Sequence, residues 1–283
     1  MKGLSRWSAK GTRIFGCSLF AFALAFEVSA GPTVLNNGGN STMDLNLDGS
    51  VAAPLGMYSW TLNGVQQVAQ QWFWYRIGSV AVGNPERDLT TIWAPVVTTA
   101  GTRSVTATYT LPQQYAVQVN YLLGGGSAGS PTTGYSERIT VYNYTASALD
   151  FNLFQYSAMT IGGSTGNQLV KFLTDAGGYA QVTQTLDGLG NFVQSGTPSA
   201  NLAEASTDGS TLANLVNGIP NNLRGIAPVV PGTVAWALQW DLSVPANSSM
   251  VVSLVATVPE PATLGILGLG LGVGLVWARR RLS

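Results

Sequence analysis

Histidine is absent from this 283-residue chain, and cysteine occurs once, as Cys17. Without histidine, neither a Ser-His-Asp nor a Cys-His catalytic set can be assembled, and histidine-ligated zinc is excluded. Charge is scarce as well: Asp, Glu, Lys and Arg make up 9% of the residues. The formal charge of zero hides an asymmetry. Lys2, Arg6, Lys10 and Arg13 open the chain, and Arg279, Arg280 and Arg281 stand near its end. Between residues 31 and 258, six bases face eleven acids, so this stretch carries −5. A mildly acidic body with a single lysine offers no basic face, so no nucleic-acid partner is expected.

The N-terminal charges precede an uncharged run, Ile14 to Phe26, and then the small residues Ser29, Ala30 and Gly31. A basic start, a short apolar stretch and a small-residue exit are the order of a secretory signal peptide over residues 1–30, cut between Ala30 and Gly31. The apolar run is too short to span a bilayer; an uncleaved anchor is the alternative. Cys17 lies inside the apolar run, so the exported body is cysteine-free and must hold together by core burial rather than disulfides.

At the other end, Ala262 to Ala278 is free of charge. As a helix it would be about 26 Å long, the lower edge of what crosses a membrane. Arg279, Arg280 and Arg281 resist translocation and would stay cytoplasmic as a membrane stop, leaving the body outside. Pro259 and Pro261 each fix their own φ and push the preceding residue out of the helical region, so a helix cannot extend outward past Pro261. Pro-Glu-Pro, an apolar span and an arginine cluster, in that order, resemble the PEP-CTERM sorting signal of Gram-negative bacteria, here over residues 258–283. The resemblance implies recognition of Pro259, Glu260 and Pro261 by an exosortase in the inner membrane. It further implies removal of the tail and delivery to the cell surface or extracellular polymer matrix, where extracellular polysaccharide is a potential partner. Persistence as an inner-membrane-anchored protein is the alternative.

The body, residues 31–257, reads as strands. Segments 71–80, 103–111, 115–123, 135–144, 149–157, 179–186, 233–244 and 249–258 are rich in β-branched and aromatic residues, and several alternate with period two. Turn-forming residues separate them, and segment 209–216 fits a short helix with Leu212, Leu215 and Val216 on one side. The expectation is an all-β protein, a single large antiparallel β-sandwich of ten to twelve strands, with the glycine-rich stretch 124–134 as a potential seam. The stretches NNGGNSTMDLN and SWTLNGVQQVAQQWFWYRIG also resemble segments of other PEP-CTERM proteins, a likeness that implies no activity.

Three groups of residues could carry chemistry. Asp44 to Gly49 opens like an EF-hand loop, but Leu55 stands where a bidentate glutamate is needed, and Met43, Leu45 and Leu47 alternate as an inward strand face; a solvated strand is the favoured reading over calcium. Glu86 and Asp88 flank Arg87 and could share a strand face as an acid/base pair, with a solvated turn as the competing reading. Trp72 and Trp74 could contact glycans, although aromatics on both faces of one strand argue for a core. Sequons at Asn40, Asn143 and Asn247 are short matches of the kind expected by chance. No cofactor or metal is expected, and the main expectation is a non-enzymatic surface or matrix protein, structural or polysaccharide-binding. A carbohydrate-active enzyme and a calcium-stabilised adhesin are the alternatives.

Overall fold

The computed structural model describes residues 31–186, 190–225 and 232–259. The expected signal peptide, the charge-free run from Ala262, Glu260, Pro261 and Arg279 to Arg281 lie outside the described residues. Among those described, no helix is long and apolar enough to cross a membrane.

The described residues form seventeen strands and one α-helix. They are β1 (Thr33–Asn36), β2 (Ser41–Asn46), β3 (Gly56–Leu62), β4 (Val65–Gln66), β5 (Val68–Ile77), β6 (Arg87–Asp88), β7 (Val96–Ala100), β8 (Ser104–Leu111), β9 (Tyr115–Leu123) and β10 (Thr132–Asn143). There follow β11 (Leu149–Met159), β12 (Gln168–Asp175), β13 (Gly178–Leu186), β14 (Gly190–Ala200), β15 (Leu202–Ser206), α1 (Ser210–Val216), β16 (Ala235–Val244) and β17 (Ser248–Pro259). One antiparallel sheet has the order β1-β2-β3-β5-β11-β16-β15, with β4 on β3 and β6 on β5. The other runs β12-β13-β14-β17-β10-β9-β8-β7. The two sheets form the expected sandwich. The strand count exceeds ten to twelve because several strands, such as β15 (LAEAS) and β14 (GNFVQSGTPSA), are short of β-branched and aromatic residues and are held by their neighbours rather than by propensity.

The alternation read from sequence holds where one face is covered. Tyr75 of β5 stacks on Phe151 of β11 at 5.7 Å, and both rings meet Tyr115 of the opposite sheet. Trp236 Nε1 donates to Gln184 of β13, and Trp240 Nε1 to the Pro198 carbonyl of β14, so the indoles of β16 reach across the sandwich with their polar handles satisfied. Trp60, Trp72, Trp236 and Trp240 are all fully buried; each such side chain contributes about 1.5–3 kcal/mol of burial free energy. In α1, Leu215 is buried but Val216 is 60% exposed, so the expected three-residue apolar side is narrower than the pattern implied.

The glycine-rich stretch is not a seam. Asn37 and Asn40, from the turn between β1 and β2, clamp it: Asn37 Nδ2 donates to Gly126 O, Asn40 Nδ2 to Ser130 O and Thr132 O, and Gly126 N donates back to Asn40 Oδ1. A Cβ at Gly39 would stand 2.1 Å from Gly126 O, so only glycine permits this approach. Asn63 and Gly64, both with positive φ, make the tight Asn-Gly turn from β3 to β4.

One acidic side chain lies deep between the sheets. Glu137 of β10 is 1% exposed. Gln155 donates to its Oε2 at 3.3 Å and exchanges hydrogen bonds with Gln194, while Glu137 Oε1 has no hydrogen-bond partner among the described residues. Burial pushes the carboxyl well above its ordinary range, only partly offset by the neighbouring Gln71 amide. Glu137 therefore folds as the neutral acid, whereas the unfolded chain ionises it above the ordinary carboxylate range. Its stabilising contribution is complete at acid pH and is lost as pH rises toward the folded value, at about 1.4 kcal/mol per pH unit. Glu137→Gln should flatten this component and raise stability at neutral pH. Urea unfolding of both proteins at pH 5 and pH 8 checks it; an unchanged pH slope in the variant would show that Glu137 is not the titrating group.

Candidate functional site

The outer face of the first sheet, turned away from its partner, carries a polar layer. Register places Arg76 of β5 opposite Asn152 of β11, Asn152 opposite Asp241 of β16, and Phe154 opposite Gln239. Two segments, 78–95 and 209–225, fold over this face and bury it. Arg76 is 1% exposed, so its guanidinium must find partners within the protein. It pairs with Glu86, donates to Asn221 O at 2.6 Å, to Asn222 Oδ1 at 2.7 Å and to Gly78 O at 3.2 Å, and lies 5.4 Å from the centre of the Phe154 ring. Glu86 also accepts from Asn221 N at 3.0 Å. One ion pair thus fastens both covering segments to β5.

Two further side chains stitch the second segment down. Gln239 accepts from Leu223 N and donates to Asn222 and Asp241. Glu204 of β15 accepts from Arg224 N and Asn214 Nδ2. The covering segments carry Val82, Trp93, Val216 and Ile219, each more than half exposed.

The residues singled out from sequence fall differently from expectation. Glu86 and Asp88 do not act as a pair: Glu86 turns inward to Arg76, while Asp88 caps the short turn Leu89–Thr91 by accepting from Thr90 N. The competing picture of a solvated turn also fails for Glu86, which is 6% exposed and ignores its neighbour Arg87. Trp72 and Trp74 are 0% and 4% exposed, so neither ring is open to a glycan; Trp72 packs against Tyr109 of the opposite sheet and Trp74 against Tyr156. In the stretch from Asp44 to Gly49, Met43, Leu45 and Leu47 are buried, and Asn46 is buried too, its amide consumed by Val51 O and Ala53 O. Asn40 and Asn143 of the sequons are buried and fully engaged. Among the described residues, no three His, Cys, Asp or Glu side chains come together as metal ligands. Sequence reasoning missed Arg76, Glu204 and Gln239. The available signal was a lone arginine inside the aromatic run QWFWYR, which a buried strand tolerates only with a partner.

Pro259, the first residue of the Pro-Glu-Pro motif, is the last residue of β17 and registers with Thr132 of β10. Beside it lies an open groove of about 700 Å³, lined by residues 124–126 and 132–134 with Asn191, Val193, Thr257 and Val258.

Residues 257–281 match the family model of the PEP-CTERM protein-sorting motif. No curated protein is detectably similar to the chain. Among solved structures, a bacterial glucoamylase complexed with acarbose shares the fold with a TM-score of 0.57 at 12% identity, over 85% of this chain and 34% of that one. A protein assigned as an aldose 1-epimerase from Escherichia coli K12 gives 0.54 at 8% identity, over 81% of this chain and 99% of that one. The chain thus spans about a third of the glucoamylase, and these likenesses establish the fold alone.

Replacing Arg76 with Met would strand Glu86 in a buried site. The expected loss is about 3–5 kcal/mol, and the double change Arg76→Met with Glu86→Leu should recover much of it. Denaturant midpoints of the two single variants and the double variant check this; losses that simply add would show that the pair is not coupled.

Proposed function

We propose that this chain, a PEP-CTERM protein and an exported exosortase substrate, serves at the cell surface or in the extracellular matrix as a non-catalytic structural or polysaccharide-binding element. Export begins with the signal peptide, residues 1–30. The run Ala262 to Ala278 then halts in the inner membrane with Arg279, Arg280 and Arg281 on the cytoplasmic side. Exosortase recognises Pro259, Glu260 and Pro261 and releases the body.

The observation that carries the non-catalytic part is how Glu86, Glu204 and Asp88 are spent. Glu86 is neutralised by Arg76 and holds a backbone N–H; both oxygens of Glu204 accept from the covering segment; Asp88 caps a turn. A general acid or base must reach a substrate proton, and these groups are already committed to holding the fold. Trp93, 64% exposed, is the indole placed to stack on a sugar ring in the polysaccharide-binding form of the proposal.

A sugar-processing enzyme is the second reading, favoured by the fold shared with the glucoamylase and the epimerase. Two measurements test the proposal. Mass spectrometry of the surface-released protein should find a C-terminus that lacks Arg281; an intact Arg281 there would overturn the sorting role. The purified body should neither release reducing sugar from polysaccharides nor speed the mutarotation of free sugars. Turnover that vanishes in Asp88→Asn or Asp241→Asn would establish the enzymatic reading instead.

A further inference from the structure

The sorting tail leaves the sandwich at one defined end. Strand β17 is paired along its whole length with β10, from Ser248 opposite Asn143 to Pro259 opposite Thr132. It is also paired with β14 from Thr197 opposite Ser253 to Val193 opposite Thr257. Only Glu260 and Pro261 separate Pro259 from the charge-free run that begins at Ala262. From Pro259 to Ala262 the chain reaches at most about 11 Å even when fully extended, and proline at both ends of Pro-Glu-Pro stiffens it. We infer that, in the membrane-held precursor, the end of the sandwich that bears the groove faces the lipid headgroups directly. The inference rests on the proposed membrane role of the tail.

The charges agree with this orientation. At the groove end, the links 36–40, 63–64, 101–103 and 124–131 carry one base, Arg103, and no carboxylate, while Asp187 follows β13 and Asp208 follows β15. The opposite end gathers Asp48, Asp88, Asp150, Asp175 and Asp241 at or beside its turns and strand ends against Arg87, the buried Glu86 being paired with Arg76. Anionic headgroups repel the opposite end more strongly than the groove end. The turns at the groove end are small and tightly held: Asn37, Asn40 and Asn63 all bond to the stretch 126–130. The arrangement leaves the acidic end, with the Arg76 layer near it, facing away from the membrane.

The mature region contains no cysteine, so a single introduced thiol reports one position. Ala128, exposed in the glycine-rich turn, and Ala146, exposed in the turn between β10 and β11, lie at opposite ends of the sandwich. The twelve residues of β10 separate them by about 40 Å. The uncleaved precursor, taken from cells lacking the processing peptidase, carries Ala128→Cys or Ala146→Cys labelled with an environment-sensitive fluorophore. It is placed in vesicles of phosphatidylethanolamine and phosphatidylglycerol doped with headgroup-spin-labelled lipid. Quenching should be several-fold stronger at 128 than at 146. A flexible Gly/Ser insert of twelve residues between Pro261 and Ala262, adding a reach of about 20 Å, should bring the two values together. Equal quenching in a precursor that floats with the vesicles, or stronger quenching at 146, overturns the orientation, as does a difference unaffected by the insert. A precursor that fails to float overturns the membrane role of the tail itself, a separate outcome.

Discussion

A strand in the interior of a sheet has to satisfy two neighbours, and β17 is such a strand. It closes the eight-stranded sheet by hydrogen-bonding to β14 on one side and β10 on the other. It is also the segment that runs into the Pro-Glu-Pro motif. Val252, Leu254, Ala256 and Val258 point into the core and are buried. The sheet therefore cannot be completed until the chain is available up to the first residue of the Pro-Glu-Pro motif. The same pairing holds the body close to whatever anchors the tail. Proline suits this junction: Pro259 has no N–H to donate, so it stands at the end of the ladder rather than inside it.

Two of the buried acidic groups are held in opposite ways. Glu86 is buried as an ion, because Arg76 and a backbone N–H meet it and the covering segments seal both partners from water. Glu137 is buried among amides and phenols that cannot neutralise it, so it keeps its proton. Burial pushes the hydroxyls of Tyr121 and Tyr135 up, and an ionised Glu137 would push them further. A buried pair resists loss of either partner more than it adds to net stability. The isolated acid lowers stability whenever the surroundings favour ionisation. The first interaction fixes where two long segments lie; the second tunes the core to pH.

Likeness of fold to sugar-processing enzymes sits beside a polar layer that is shut. The two facts are compatible, because a sandwich of this kind is a scaffold and its chemistry depends on which side chains reach an open cleft. Here the covering segments occupy the outer face of the first sheet with their own backbone, and Gln239, Glu204 and Arg76 are used to hold them down. The exposed apolar residues lie on the outside of that cover, where contact with another surface is open to them.

Much of the fold was legible in local pattern. The extents of β9 and β16, the inward faces of Met43, Leu45 and Leu47, and the position of α1 follow from period and composition. Aromatic residues on both sides of β5 also pointed to its covered position, and the burial of Trp72 and Trp74 follows from it. Strands such as β15 and β14 were not legible, because their stability comes from neighbours distant in sequence. The partner of Glu86 was hidden for the same reason. Arg87 is adjacent in the chain, but Arg76 is adjacent in space, and low dielectric favours the partner that can be buried with it. The asparagines of NNGGN carried no local sign of clamping residues some ninety positions later. What the sequence alone determined is the C-terminal sorting motif and the two-faced character of its strands, since both depend on near neighbours. Which carboxylate is paired, which is neutral, and at which end of the sandwich the tail departs were decided only by the tertiary structure, because hydrogen bonding and desolvation act on distance in space.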